Sequence, residues 1–173
     1  MIRFPFIAGL ILLSGPAFAQ TPYAGMQTRP IKALSEQQVA DLGAGRGMGL
    51  ALAAELNGYP GPSHVLELAD KLELTADQRA GVQRLFDSMK VEAVPLGSKL
   101  IEQEAELDRQ FASRTITPES LKVSTGAVAA THGALREAHL KYHLSTAELL
   151  TPGQLRRYTE LRGYGGKRMH HHH

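Results

Sequence analysis

His139 and His143 stand four residues apart in a stretch of helical character. On an α-helix that spacing puts two imidazoles on one face, about 6 Å apart along the axis. Two such nitrogens can share one divalent transition-metal ion such as zinc, nickel or copper. The segment reads His139-Leu140-Lys141-Tyr142-His143. A zinc hydrolase of the H-E-x-x-H kind needs glutamate where Leu140 stands, so the pair allows a binding site and excludes that catalytic class. Two imidazoles also fall short of a tetrahedral ligand set. Further donors would have to come from another segment or subunit, with His64, Met48 or a carboxylate as candidates. The same spacing equally suits histidines buried in a helix seam and bonded to a neighbour. His132 is about 10 Å before His139 along the axis, too far to share its ion, and reads as a seam residue. His170, His171, His172 and His173 can capture divalent ions outright, either as a native His-rich tail or as part of an expression tag.

Other chemistry is sparse. With no cysteine the chain has no disulfide framework, no thiolate ligand and no site for a lipid-modified N-terminal Cys. It contains neither a G-x-S-x-G elbow nor a phosphate-binding loop, and residues 43–49 give no register of the dinucleotide fingerprint despite their glycines. Lys and Arg number 19 against 17 Asp and Glu, interspersed along the chain. A nucleic-acid partner would need a clustered basic face, so that class is excluded. Glu102, Glu104, Glu106 and Asp108 read as a solvated face. The expectation is a protein with no catalytic residue and no required cofactor.

The elements that must position the histidines are helices. Leu74-Thr75-Ala76-Asp77-Gln78 and Leu150-Thr151-Pro152-Gly153-Gln154 are two copies of L-T-x-x-Q. Thr accepts a hydrogen bond from the first helical turn, and Gln three residues on reaches back to the Thr N–H, a capping box. Ser35 and Gln38 form a third, weaker box, opening a short helix to about residue 42. Ser63 can cap another from His64 to about Leu72. After Thr75, apolar residues at Val82, Leu85, Phe86, Met89, Ala93, Leu96, Leu100, Leu107 and Phe111 mark one stripe of a long helix. Pro95 lies inside it; the stripe keeps phase on both sides, so a kink is expected rather than a break. A second long helix starts at Thr117-Pro118, with a seam at Leu121, Thr125, Val128, His132, Leu135, His139, Tyr142, Thr146 and Leu149. Gly126 and Gly133, seven apart on a neighbouring face, are either weak spots or a close helix–helix approach.

The fold class expected is all-α: a long antiparallel hairpin with a kinked first helix and short flanking helices. Such a thin hairpin buries one face per helix, and pairing into a homodimer would cover the rest. Residues 1–19 read as a secretory signal peptide, with a charged start at Arg3, an apolar run and Ala17-Phe18-Ala19 before the cut. That run is too short to span a membrane. Residues 20–61 are expected to be a flexible segment with one short helix, 62–163 the hairpin domain and 164–173 a disordered Gly/His tail.

On Leu74-Thr75-x-x-Gln78, Leu150-Thr151-x-x-Gln154 and the signal peptide, the chain resembles the Spy/CpxP superfamily, including periplasmic heavy-metal sensor and resistance proteins. The likeness covers about residues 60–164; residues 32–58 have no counterpart in it. It implies a curved, all-helical periplasmic homodimer without an ATP site. Members bind metal ions, shield unfolded envelope proteins, or regulate an envelope sensor protein. Metal-binding members draw ligands from a His-x-x-x-His or His-x-x-x-Met pair, and only His139 and His143 carry that over. The expected function is metal binding in stress response, resistance or sensing; the alternative is an ATP-independent holdase.

Overall fold

Four of the helices begin where a side chain satisfies their first free N–H groups. The computed structural model describes residues 23–165. The expected signal peptide with its cut after Ala19, and the histidines at 170–173, lie outside them. After a 3₁₀ turn at Met26–Thr28 come six helices: α1 Glu36–Gly43, α2 Leu52–Glu55, α3 Pro62–Glu67, α4 Ala76–Ala112, α5 Pro118–Leu149 and α6 Pro152–Leu161. No strand occurs among the described residues, and the fold is all-α. Complete capping boxes open α1 at Ser35, α4 at Thr75 and α6 at Thr151; Thr117 and Ser120 make a fourth at α5. At α3 the N-cap is Gly61 with Pro62 in the first turn, so Ser63 does not cap it. The fixed φ of Pro62 suits a first helical position, which makes the cap dispensable.

α4 and α5 form the hairpin, joined by residues 113–117. α4 runs through Pro95 without a break. The proline costs the Val91 carbonyl its helical partner. Val91 is 74 % exposed, so water can replace that bond. Two apolar clusters hold the hairpin and its flanks. Leu42, Ala93, Leu100 and Leu135 join α1 to both long helices. Val65, Leu72, Val82, Leu150 and Tyr158 tie α3 and α6 to the hairpin's open end.

The buried seam of α5 is shorter than expected: Leu135, His139, Tyr142 and Thr146 are enclosed, whereas Leu121, Thr125 and Leu149 at its two ends are exposed, and in the middle the inward position shifts by one residue. Thr131 is buried and His132 exposed. Both lie within one turn of Val128 and Leu135, and the smaller threonine occupies the interior. Gly126 and Gly133 face open space, where an added Cβ meets nothing within 4 Å. The close approach lies on α4 instead. A Cβ on Gly97 would sit 2.2 Å from the Leu42 carbonyl oxygen, so α1 docks by its backbone onto a bare glycine.

That docking changes the reading of residues 20–61, which were expected to be a flexible segment. From α1 onward they pack on the hairpin, with Leu42, Ala51, Ala54, Glu55 and Pro60 buried. Gly45 and Gly49 adopt positive φ and let the chain turn tightly between α1 and α2. Farther out, Lys32 reaches back to Asp108 at 3.2 Å, so the acidic run on α4 is partly an anchor for this segment. No helix among the described residues is long and apolar enough to cross a membrane.

Candidate functional site

The folded-back segment closes a pocket against α4 and α5. Its cavity is about 550 Å³. α5 contributes His139 and His143, α3 contributes His64, the loop before α2 contributes Met48, α4 contributes Met89, and α2 contributes Glu55. The donors named from the sequence thus line one space.

The two α5 histidines are nearly enclosed, His139 at 2 % exposure and His143 at 7 %. His143 Nδ1 lies 2.7 Å from the Tyr59 carbonyl oxygen. A carbonyl can only accept, so the proton belongs on Nδ1 and the lone pair on Nε2. That Nε2 edge faces Gly61, where an added Cβ would come within 2.8 Å of the ring. His139 lies beside Gly47, and its Nε2 is buried without any hydrogen-bond partner. Burial, with His143 alongside as a second cause, pushes the His139 pKa below its ordinary value. A neutral imidazole is the form that ligates metal. His64 Nδ1 is also buried without a hydrogen-bond partner, 3.3 Å from Glu55 Oε1. Carboxylates and carbonyls behind the non-ligating nitrogen are the usual means of orienting ligand histidines. Among the described residues, no three His, Asp or Glu side chains converge as a ready-made metal cluster. The donors line a pocket and would have to close on an ion.

Glu55 is the residue that sequence reasoning missed. It is 5 % exposed and surrounded by donors. Oε1 accepts from the Tyr158 hydroxyl and from Tyr164 at 3.2 Å, while Oε2 accepts from the Gly61 N–H at 3.2 Å. Arg162 Nε lies 3.7 Å from Oε1. The one available signal was its place as the single charge in the apolar run Leu50-Ala51-Leu52-Ala53-Ala54-Glu55-Leu56. Burial alone would raise the Glu55 pKa. The facing His64 imidazole, Tyr158 hydroxyl and Gly61 N–H outweigh it and lower the pKa from 4.5 to about 2. Burial, and then the bond to Glu55, push Tyr158 upward.

A pH dependence follows from the depressed carboxyl pKa. The folded state prefers ionised Glu55, so its stabilisation is complete above about pH 5 and is lost as pH falls toward the folded pKa. A shift of this size corresponds to ~3 kcal/mol. Urea unfolding of wild type and Glu55→Gln should differ by about that much at pH 7 and converge near pH 2.

The L-T-x-x-Q copies form a second arrangement, away from the pocket. Beyond capping their own helices, Gln78 and Gln154 bond each other, Nε2 to Oε1 in both directions, at 2.9 and 3.0 Å. Gln78 Nε2 also donates to the Leu149 carbonyl at 2.8 Å and Gln154 Nε2 to the Leu72 carbonyl at 3.2 Å. Leu74 and Leu150 pack in the apolar cluster beneath. The motif residues Thr75 and Thr151 hold helix starts; the pair of glutamines clasps the hairpin's open end.

No family model, curated protein or solved structure matches the chain. Function therefore has to be argued from the pocket. Its imidazoles and thioethers are of the types that bind transition-metal ions.

Proposed function

We propose that this is an exported, periplasmic, non-catalytic metal-binding protein of the stress, heavy-metal resistance or sensor type. Its site holds a divalent zinc, nickel or copper ion between His139 and His143, with His64 and Met48 completing the donors. The observation that carries this reading is the unpartnered, buried Nε2 of His139 in a pocket that also receives His143, His64 and Met48. Buried polar atoms are rarely left without a partner, because the desolvation cost is about 1–3 kcal/mol. A metal ion would supply that partner. Imidazole nitrogens with thioether sulfur suit borderline and soft metals over magnesium or calcium.

Calorimetry tests this on protein in which His170, His171, His172 and His173 are changed to serine, which removes the tail as a competing site. Zinc, nickel or copper should bind with micromolar affinity or better. His139→Ala with His143→Ala should weaken binding at least tenfold. No binding, or binding untouched by the double substitution, would remove the proposal.

A further inference from the structure

The Glu55 carboxylate is a junction between the pocket and the C-terminal helix. On the pocket side it faces His64 Nδ1 at 3.3 Å and His143 Nδ1 at 3.7 Å. The oxygen that faces His64, Oε1, also accepts the hydroxyls of Tyr158 and Tyr164 and lies 3.7 Å from Arg162 Nε, while His143 faces Oε2. Tyr164 is 109 positions farther along the chain. Its hydroxyl also accepts from Arg162 Nε at 3.3 Å, and Arg162 reaches Glu67 of α3 at 4.0 Å.

We infer that Glu55 couples the pocket to α6: an ion held by the pocket imidazoles tightens the turn carrying Arg162 and Tyr164, and loosening that turn weakens the site. The coupling is carried by the contact of His64 Nδ1 with Glu55 Oε1, 3.3 Å apart and unbonded in this structure, which becomes a hydrogen bond once an ion aligns the imidazole. An imidazole that binds a cation through Nε2 has a more polar Nδ1–H, and such charge-assisted bonds to carboxylate are roughly twice as strong as neutral ones. His64 then holds Glu55 in one position, where Oε1 receives both tyrosine hydroxyls without reorganising. Linkage makes the effect reciprocal, so a change at Tyr164 must appear in the affinity of the pocket. The identity of the occupant rests on the metal reading above; the junction itself does not.

Hydrogen exchange, calorimetry and stability measurements test the inference together, all on the full chain with the four terminal histidines changed to serine. Zinc should slow exchange of the amides of residues 155–164 by about fivefold or more. Tyr164→Phe keeps the ring and removes only the hydroxyl; it should weaken zinc binding by about fivefold. If calorimetry shows zinc bound while α6 exchange and Tyr164→Phe affinity stay at wild-type values, the coupling is wrong and the metal reading stands. If zinc does not bind, the metal reading fails and the metal-free protein decides the coupling. There, His64→Gln and Tyr164→Phe should change the unfolding constant non-additively, by about threefold from the product of the single effects. Additive effects would overturn the junction.

Discussion

Alanine at Gly97 should strip α1 from the hairpin and take the pocket wall with it. The new Cβ would stand 2.2 Å from the Leu42 carbonyl oxygen and 2.8 Å from its carbon. Both are backbone atoms, so no side chain can swing aside. Leu42 is buried among Ala93, Leu100 and Leu135 and cannot keep that place if the backbone retreats. Overpacking of this kind costs about 1–3 kcal/mol, and withdrawing a leucine side chain about 2 kcal/mol more. A fall in the unfolding midpoint of about 10 °C is expected. Amides of α1 and of residues 44–49 should exchange faster than those of α5. Gly126→Ala is the control. It meets open space on the same hairpin and should stabilise the helix by about 1 kcal/mol. Equal effects at the two glycines would show that α1 does not dock where the structure places it.

Glutamate at Gln78 is expected to open the clasp between the two L-T-x-x-Q copies while leaving the α4 cap in place. Gln78 Oε1 accepts from the Thr75 N–H at 3.1 Å, and a carboxylate oxygen can do the same. It cannot replace the amide nitrogen. The donations to the Leu149 carbonyl and to Gln154 Oε1 disappear, and a negative oxygen stands against two acceptors. Losing partners for part-buried polar groups costs about 1–3 kcal/mol, more when a charge is involved. A loss of about 3 kcal/mol in urea unfolding is predicted. A double cycle of Gln78→Ala and Gln154→Ala should show a coupling of about 1–2 kcal/mol. Additivity would mean that each glutamine serves only its own helix.

What could be read from the sequence was local. The boxes at Ser35, Thr75 and Thr151 depend on residues three apart, and all form. The long stripe of α4 was legible because period is a property of one segment. At the α5 seam periodicity reached its limit at the ends, where Leu121, Thr125 and Leu149 keep phase but stay exposed, and between Thr131 and His132, where adjacent positions compete for one inward place. Contacts between distant segments left no pattern at all. Nothing in the composition of residues 43–49 says that the chain there wraps against α4, because Gly97 receives α1 through backbone atoms. The reciprocal bonds of Gln78 and Gln154 could not be read either; a capping glutamine uses one end of its amide and leaves the other unspecified. The histidine pair on α5 was visible as spacing. Its enclosure by Glu55, His64 and Met48 depended on where the N-terminal segment lands.

Side-chain nitrogen NMR of the histidines during a zinc titration addresses the claim that the pocket is a metal site. With the terminal histidines changed to serine, the Nε2 signals of His139, His143 and His64 should move together and saturate, and exposed His132 should not respond. Movement of His132 alone, or no saturable change at His139 and His143, would contradict the account.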